Sequence, residues 1–127
     1  MTNNQTEISK GRKIAAWVSV GILGALFLMS ASMKLMGGAE VAANFAKYGL
    51  SGRELLIGLG ELAAAILFMV PRTSSLGVLL LSAHMGGAIV THMGHGESFA
   101  FQSVILVVLW VANWLRNPEM LFSFSKK

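Results

Sequence analysis

Cysteine is absent from the 127 residues. Its absence excludes disulfide staples, thiol redox chemistry, cysteine-ligated iron–sulfur clusters and cysteine-based zinc sites, so an electron-transfer role would need a quinone or a partner protein. Charge is scarce as well: 13% of residues are charged against 54% hydrophobic, and the mean hydropathy is +0.65. These values exceed the ordinary soluble range and, with several long apolar runs, indicate a polytopic membrane protein. Glycine-rich phosphate loops and nucleophile–base arrangements are missing; Gly58-Leu-Gly60 lies inside an apolar run. The net charge of +4 comes from basic residues at segment ends, without a patch interleaved with aromatics. That pattern excludes nucleic acid as a partner and reads as a topology signal.

What is present predicts an all-α membrane protein, a four-transmembrane-helix antiparallel bundle with a short interfacial helix between helices 1 and 2. Residues 1–13 form a polar N-terminal tail, the spans cover 14–36, 52–70, 74–93 and 99–116, and 119–127 form a basic C-terminal tail. Between the first two spans, Ala39 to Tyr48 is amphipathic, with Val41, Phe45 and Tyr48 on one face. The second span organises the chain. Ser51-Gly-Arg-Glu54 has the pattern of a capping box and Pro71 stops the helix. Its 19 residues from Gly52 to Val70 rise roughly 28 Å, close to the ~30 Å hydrocarbon thickness. Near its middle stands Glu61, whose charge costs roughly 2.5 to 3.5 kcal/mol on insertion scales. On a helical wheel Leu55, Leu59, Leu62, Ile66 and Met69 form a bulky arc suited to lipid, while Gly58, Gly60, Glu61, Ala64 and Ala65 form a small arc suited to neighbouring helices. The carboxylate is therefore expected inside the bundle.

Four spans put both termini on one side. Lys10, Arg12, Lys13, Arg72, Arg116, Lys126 and Lys127 lie there against Lys34, Lys47 and Arg53 on the other, so both termini are expected to be cytoplasmic, in a bacterial inner (plasma) membrane. Trp17, Trp110 and Trp114 fall near the cytoplasmic helix ends. Counting depth from the outer ends, Glu61 and His84 both lie roughly 14 Å down on neighbouring helices, Ser30 roughly 9 Å and Gln102 roughly 6 Å, with Lys34 and Thr91 nearer the mouth. All of these lie in the outer half, which predicts a polar pocket open to the outer face or leaflet. A packing-only reading stands beside it, in which Glu61 and His84 fix helix contacts, Lys34 snorkels from its helix end, and Gln102 and Thr91 hydrogen-bond between helices. His92 and His95 are spaced to share one ion, but a zinc site wants three or four supported ligands and this loop is short and glycine-rich, so no metal is expected.

Several short motifs, in order, resemble the DoxX-like family of small four-helix membrane proteins. They are Ser30-Ala31-Ser-Met-Lys34, Tyr48-Gly49-Leu50, Gly58-Leu-Gly60-Glu61-Leu62, Pro71-Arg72, Met85-Gly-Gly87-Ala88 followed by His92, and Leu115-Arg116-Asn-Pro118. The resemblance runs from about Ile14 to Pro118. It implies a four-helix bundle and, since some relatives are membrane subunits of quinone-linked oxidoreductases such as thiosulfate:quinone oxidoreductase, a bound quinone. Lys34, Glu61 and His92 are the motif positions that could carry a family function.

The expectation is thus a membrane subunit of a redox system that binds a quinone or similar amphiphile. Glu61 and His84 are its candidate catalytic residues, exchanging protons at the polar end of the ligand, and Ser30, Lys34, Thr91, His92 and Gln102 its candidate binding residues. Expected partners are the lipid bilayer, a soluble or membrane oxidoreductase, and further copies of the chain in a homo-oligomer. The alternatives are a non-catalytic assembly factor or scaffold with a purely structural polar network, and a small lipid or solute carrier, for which the lack of broken helices is poor support.

Overall fold

The computed structural model describes residues 9–121. Every regular element among them is helical: α1 (Lys10–Met36), α2 (Ala39–Lys47), α3 (Glu54–Met69), α4 (Ser74–Gly94) and α5 (Ala100–Arg116), with 3₁₀ turns at Pro71–Thr73 and Pro118–Leu121. The four long helices form a ring in the order α1, α3, α4, α5 and back to α1. Sequence neighbours in the ring are antiparallel. One end of the bundle therefore carries α2 and the α4–α5 loop, the other the start of α1 and the end of α5.

Each inward face follows the helical period. On α1 it reads Ala16, Val20, Leu23, Gly24, Phe27 and Ala31; on α3, Gly58, Glu61, Ala64, Ala65 and Phe68; on α4, Ser74, Gly77, Val78, Leu81 and Met85. The apolar core fills the half of the bundle nearer the chain ends. α3 and α4 approach most closely where Gly77 faces Phe68, a Cβ on Gly77 falling 2.2 Å from the Phe68 nitrogen. Outward faces are apolar too: Ile14, Val18 and Ile22 on α1, Leu55, Leu56 and Leu59 on α3, Leu79 and Val90 on α4, Val104 and Val107 on α5 are all roughly half exposed or more. A soluble monomer rarely exposes so continuous an apolar surface, whereas a bilayer covers it. Lys10–Met36 and the segment Pro71–Gly94 are long and apolar enough to cross a membrane, and α5 is a shorter apolar helix.

Several expected boundaries move. α1 starts at Lys10 instead of residue 14 because Ser9 accepts from the Arg12 amide at 3.1 Å and the Arg12 side chain finds a partner across the bundle. Of the expected tail only residues 1–9 precede it, Ser9 as its N-cap; residues 1–8, like residues 122–127 of the expected 119–127 tail, lie outside the described residues, and 118–121 form a 3₁₀ turn. α3 covers 54–69 rather than 52–70, and the capping box does not form. Gly52 takes a positive φ and the Arg53 amide closes a turn onto the Leu50 carbonyl, so the helix begins after Arg53 and no side chain caps it. Gly60 faces outward, against the expected small arc, and Phe68 joins the inward face, where its backbone lies against Gly77 of α4.

At the chain-end side two arginines satisfy helix C-termini. Arg12 donates from Nε to the Leu115 carbonyl and from Nη2 to the Trp114 carbonyl, each at 3.0 Å, with its guanidinium 4.2 Å over the Trp114 ring. Arg116 donates to the Met69 carbonyl at 3.2 Å and to the Phe68 carbonyl. Carbonyls of a last helical turn lack intrahelical partners and carry partial negative charge, so the cations settle there.

Candidate functional site

Above the apolar core, at the α2 end, the four long helices separate around a cavity of about 790 Å³. Its lining is mostly apolar, from Leu26, Met29, Met33, Phe101 and Ile105 among others, and α2 and the residues after it contribute Val41, Asn44, Phe45, Tyr48 and Leu50. α2 is thus a roof over the cavity as well as an amphipathic helix, with Phe45 buried beneath it.

One wall is charged. Glu61 is 1% exposed; its Oε1 accepts from Lys34 Nζ at 2.7 Å and from the Ser30 hydroxyl at 3.2 Å, and its Oε2 lies 3.4 Å from His84 Nε2. Ser30, one turn before Lys34 on α1, also accepts from Lys34 Nζ at 2.7 Å. Three helices therefore deliver one carboxylate, one ammonium, one imidazole and one hydroxyl to a single point. Gly58 permits it locally, because a side chain there would press on Lys34 Cβ at 3.1 Å and push the end of α1 away. The expectation that Lys34 snorkels is corrected: buried Glu61 offers the ammonium a full counter-charge one helix away, which outweighs extension toward the surface.

All seven residues proposed from the sequence, Ser30, Lys34, Glu61, His84, Thr91, His92 and Gln102, line this cavity. They do not form one network. Gln102 leaves its Oε1 buried without a partner, and Thr91 offers its carbonyl to His95 Nδ1 at 2.9 Å. His92 belongs to a second cluster, in which Glu97 Oε1 meets its Nδ1 at 2.7 Å and accepts from the Tyr48 hydroxyl at 2.7 Å, while Oε2 accepts from Lys47. The Tyr48 ring stands edge-on to both His92 and His95.

Two matching turns build this second cluster. Gly49 and Gly96 each take a positive φ after a helix, with Leu50 N bonded back to Phe45 O and Glu97 N to His92 O, the closing bonds of Schellman motifs that need a left-handed residue. The second turn swings Glu97 beside His92. Hydrogen bonds from Lys47, foremost, and from Tyr48 lower the Glu97 carboxyl to about 2; burial opposes them, and a weaker hydrogen bond from His92 adds to them. Sequence reasoning gave Lys47, Tyr48 and Glu97 no place in the site. The signal was there: the chain's one tyrosine and the one acid of the last interhelical loop both follow helices that end on the same side.

The family comparison agrees with this architecture: the DoxX-like family model matches residues 18–112, which hold all seven cavity residues and every motif quoted above except Leu115-Arg116-Asn-Pro118. The chain belongs to the DoxX-like family. No curated protein and no solved structure matches it. As a DoxX-like membrane protein it places lipid against the exposed apolar faces of its helices, and its buried charges against one another across the cavity wall.

Chemically, the cavity wall offers a carboxylate oxygen and an imidazole nitrogen 3.4 Å apart at Glu61 Oε2 and His84 Nε2, the ammonium of Lys34, and an unpartnered, buried Oε1 at Gln102. The remaining surface is apolar. Such a cavity suits an amphiphile with a polar head and an apolar body.

Proposed function

We propose that the chain is a four-span integral membrane protein of the bacterial inner membrane, both termini cytoplasmic, that serves as the membrane subunit of a quinone-linked redox system and binds a quinone or similar amphiphile in the cavity. The observation that carries this reading is the convergence of Lys34, Glu61 and His84 on one wall of an otherwise apolar cavity of about 790 Å³. Intramembrane ionisable groups are expensive and mark functional sites by default. The excess of basic residues at the chain-end side supports the orientation. At ~1.5 Å per residue α3 rises roughly 24 Å, enough with its flanking turns to cross the hydrocarbon.

The donors fit such a ligand. Lys34 and Ser30 would orient a carbonyl or hydroxyl of the ring, the Gln102 amide would meet a second polar atom, and Met29, Met33 and Phe101 would exclude water around the apolar part. A bound quinone would supply the redox chemistry, with electrons from an oxidoreductase partner. Glu61 and His84 would hold and exchange the accompanying protons at Oε2 and Nε2.

Titrating a short-chain quinone into the detergent-extracted protein tests this. Glu61→Gln should weaken binding at least about tenfold, since hydrogen bonds to a charged group contribute roughly 1.5–3 kcal/mol. Unchanged affinity would remove the proposal. A scaffold or assembly factor is the second reading, favoured by the fact that both Glu61 oxygens already face partners within the chain. It expects Glu61→Gln to lower abundance or complex formation and to leave quinone titrations featureless for both proteins.

A further inference from the structure

At the end opposite the cavity, the start of α1 and the last turn of α5 leave a shallow slot of about 170 Å³ lined by Lys13, Ala16, Trp17, Leu115 and Arg116. Two of these five residues are cations and none is an acid. Arg116 gives its Nη groups to the ends of α3 and keeps its guanidinium 5.8 Å from the Trp17 ring, but its Nε is buried without an acceptor. Backbone carbonyls satisfy hydrogen bonds yet carry only fractional charge, so they do not neutralise a guanidinium. The ion pairs of Lys34, Lys47, His84 and His92 all lie at the α2 end, and none of them reaches Arg116 or Lys13. The Lys13 ammonium is exposed and has no side-chain partner among the described residues. It sits one helical turn before Trp17, on the same face, and Trp17 is 55% exposed.

We propose that this slot binds a phosphate group, carried by an anionic phospholipid: Lys13 supplies the free ammonium, Arg116 the fixed charge behind it, and the exposed Trp17 the apolar surface along which an acyl chain runs. Two cations without an ion pair among the described residues, beside an interfacial indole and an apolar helix face, are complementary to a headgroup that is negative at one end and continuous with hydrocarbon at the other. The inference rests on this end of the bundle lying at a membrane surface and is independent of what fills the cavity.

The full-length protein in nanodiscs of mixed phosphatidylcholine and phosphatidylglycerol, released for native mass spectrometry, reads the bound lipid directly. Phosphatidylglycerol should be retained in preference to phosphatidylcholine, which has the same phosphate but a compensating cation. Lys13→Gln, an exposed change that leaves the α3 cap intact, should cut that preference about fivefold, the change one basic residue near an anionic surface carries. Arg72→Gln, at the same end but outside the slot, should leave it unaltered. Inorganic phosphate added in excess distinguishes the sources: a lipid held by headgroup and chain stays bound, whereas displacement of phosphatidylglycerol by phosphate overturns the lipid assignment in favour of the free anion. Equal retention of the two lipids, or equal losses in Lys13→Gln and Arg72→Gln, overturns the site. Because Lys13 is remote from the cavity, Lys13→Gln should leave quinone titrations unchanged, so failure here and failure of the cavity reading are separable.

Discussion

Replacing Lys34 by Met and Glu61 by Gln, singly and together, tests whether the charged wall of the cavity acts as one electrostatic unit. The two groups are 2.7 Å apart, and their side chains are 20% and 1% exposed respectively. Removing one member of a buried pair costs about 3–5 kcal/mol because the survivor is left charged and unpaired. The two single changes should not be equal. Glu61→Gln strands an ammonium that water still reaches, which places its cost near about 2–3 kcal/mol after allowing for solvent. Lys34→Met strands a carboxylate sealed from solvent, with only the Ser30 hydroxyl at 3.2 Å and His84 at 3.4 Å to face it, and should cost the full 3–5 kcal/mol or so. The double variant replaces both charges by neutral groups of similar volume and should recover most of the loss, giving a coupling of about 2 kcal/mol or more. Denaturation in mild detergent, followed by helical circular dichroism, supplies the four stabilities of the cycle. Additive single effects, or a Glu61→Gln variant less stable than Lys34→Met, would refute the reasoning.

Other predictions concern packing and the roof. Gly77→Ala places a methyl group 2.2 Å from the Phe68 nitrogen and 2.4 Å from its Cα; backbone cannot yield as a side chain does, so melting in detergent should report a loss at or above the roughly 1–3 kcal/mol of ordinary overpacking. The Glu97 carboxyl, held near about 2 by Lys47 and Tyr48, has a depressed folded-state pKa. Its contribution is present above the ordinary carboxylate range of about 4.3 and is lost as pH falls through the folded value. Protection factors of α2 amides should accordingly fall between about pH 4.5 and 2 while those of α4 hold, and Glu97→Gln should show the low α2 protection already at neutral pH; a flat profile counts against Glu97 holding α2 through Lys47 and Tyr48.

Much of the architecture was legible because bilayer crossing imposes long apolar runs, and the runs, glycine breaks and Pro71 stand in the chain as local signals. Depth bookkeeping placed Ser30, Glu61 and His84 at compatible heights because helical rise is uniform. For Lys34 the pocket reading and the snorkelling reading stood side by side because a wheel and a rise carry no side-chain conformation: whether a long cation extends to the surface or folds inward depends on a partner from another helix. The helix starts moved for a similar reason. Arg12 and Arg116, read as topology signals, also cap helices far away in sequence, and the turn at Gly52 displaced a capping box whose residues were all present. The Tyr48–Glu97 contact was the least legible, since it joins two loops 49 residues apart through a pair of Schellman turns.

Whether the cavity holds a ligand or is merely space left between helices is decided by filling it without touching its charges. Gly86 and Gly87 are adjacent on α4, both have ordinary helical φ, and a Cβ on either meets nothing within 4 Å. Only Gly87 lines the cavity. Leucine at either position should fold at least as well as the parent, because a glycine inside a helix is less favourable than an alkyl residue by about 0.5–1 kcal/mol. Gly87→Leu, however, sends an isobutyl group into the space the quinone would need, whereas Gly86→Leu adds the same group at a position outside the cavity lining. Quinone affinity should collapse in the first and persist in the second, with equal melting temperatures excluding misfolding as the cause. A packing-only network gives the two variants the same behaviour in every assay, since neither glycine touches Lys34, Glu61 or His84; retained quinone binding in Gly87→Leu would show that the ligand, if it binds at all, binds elsewhere.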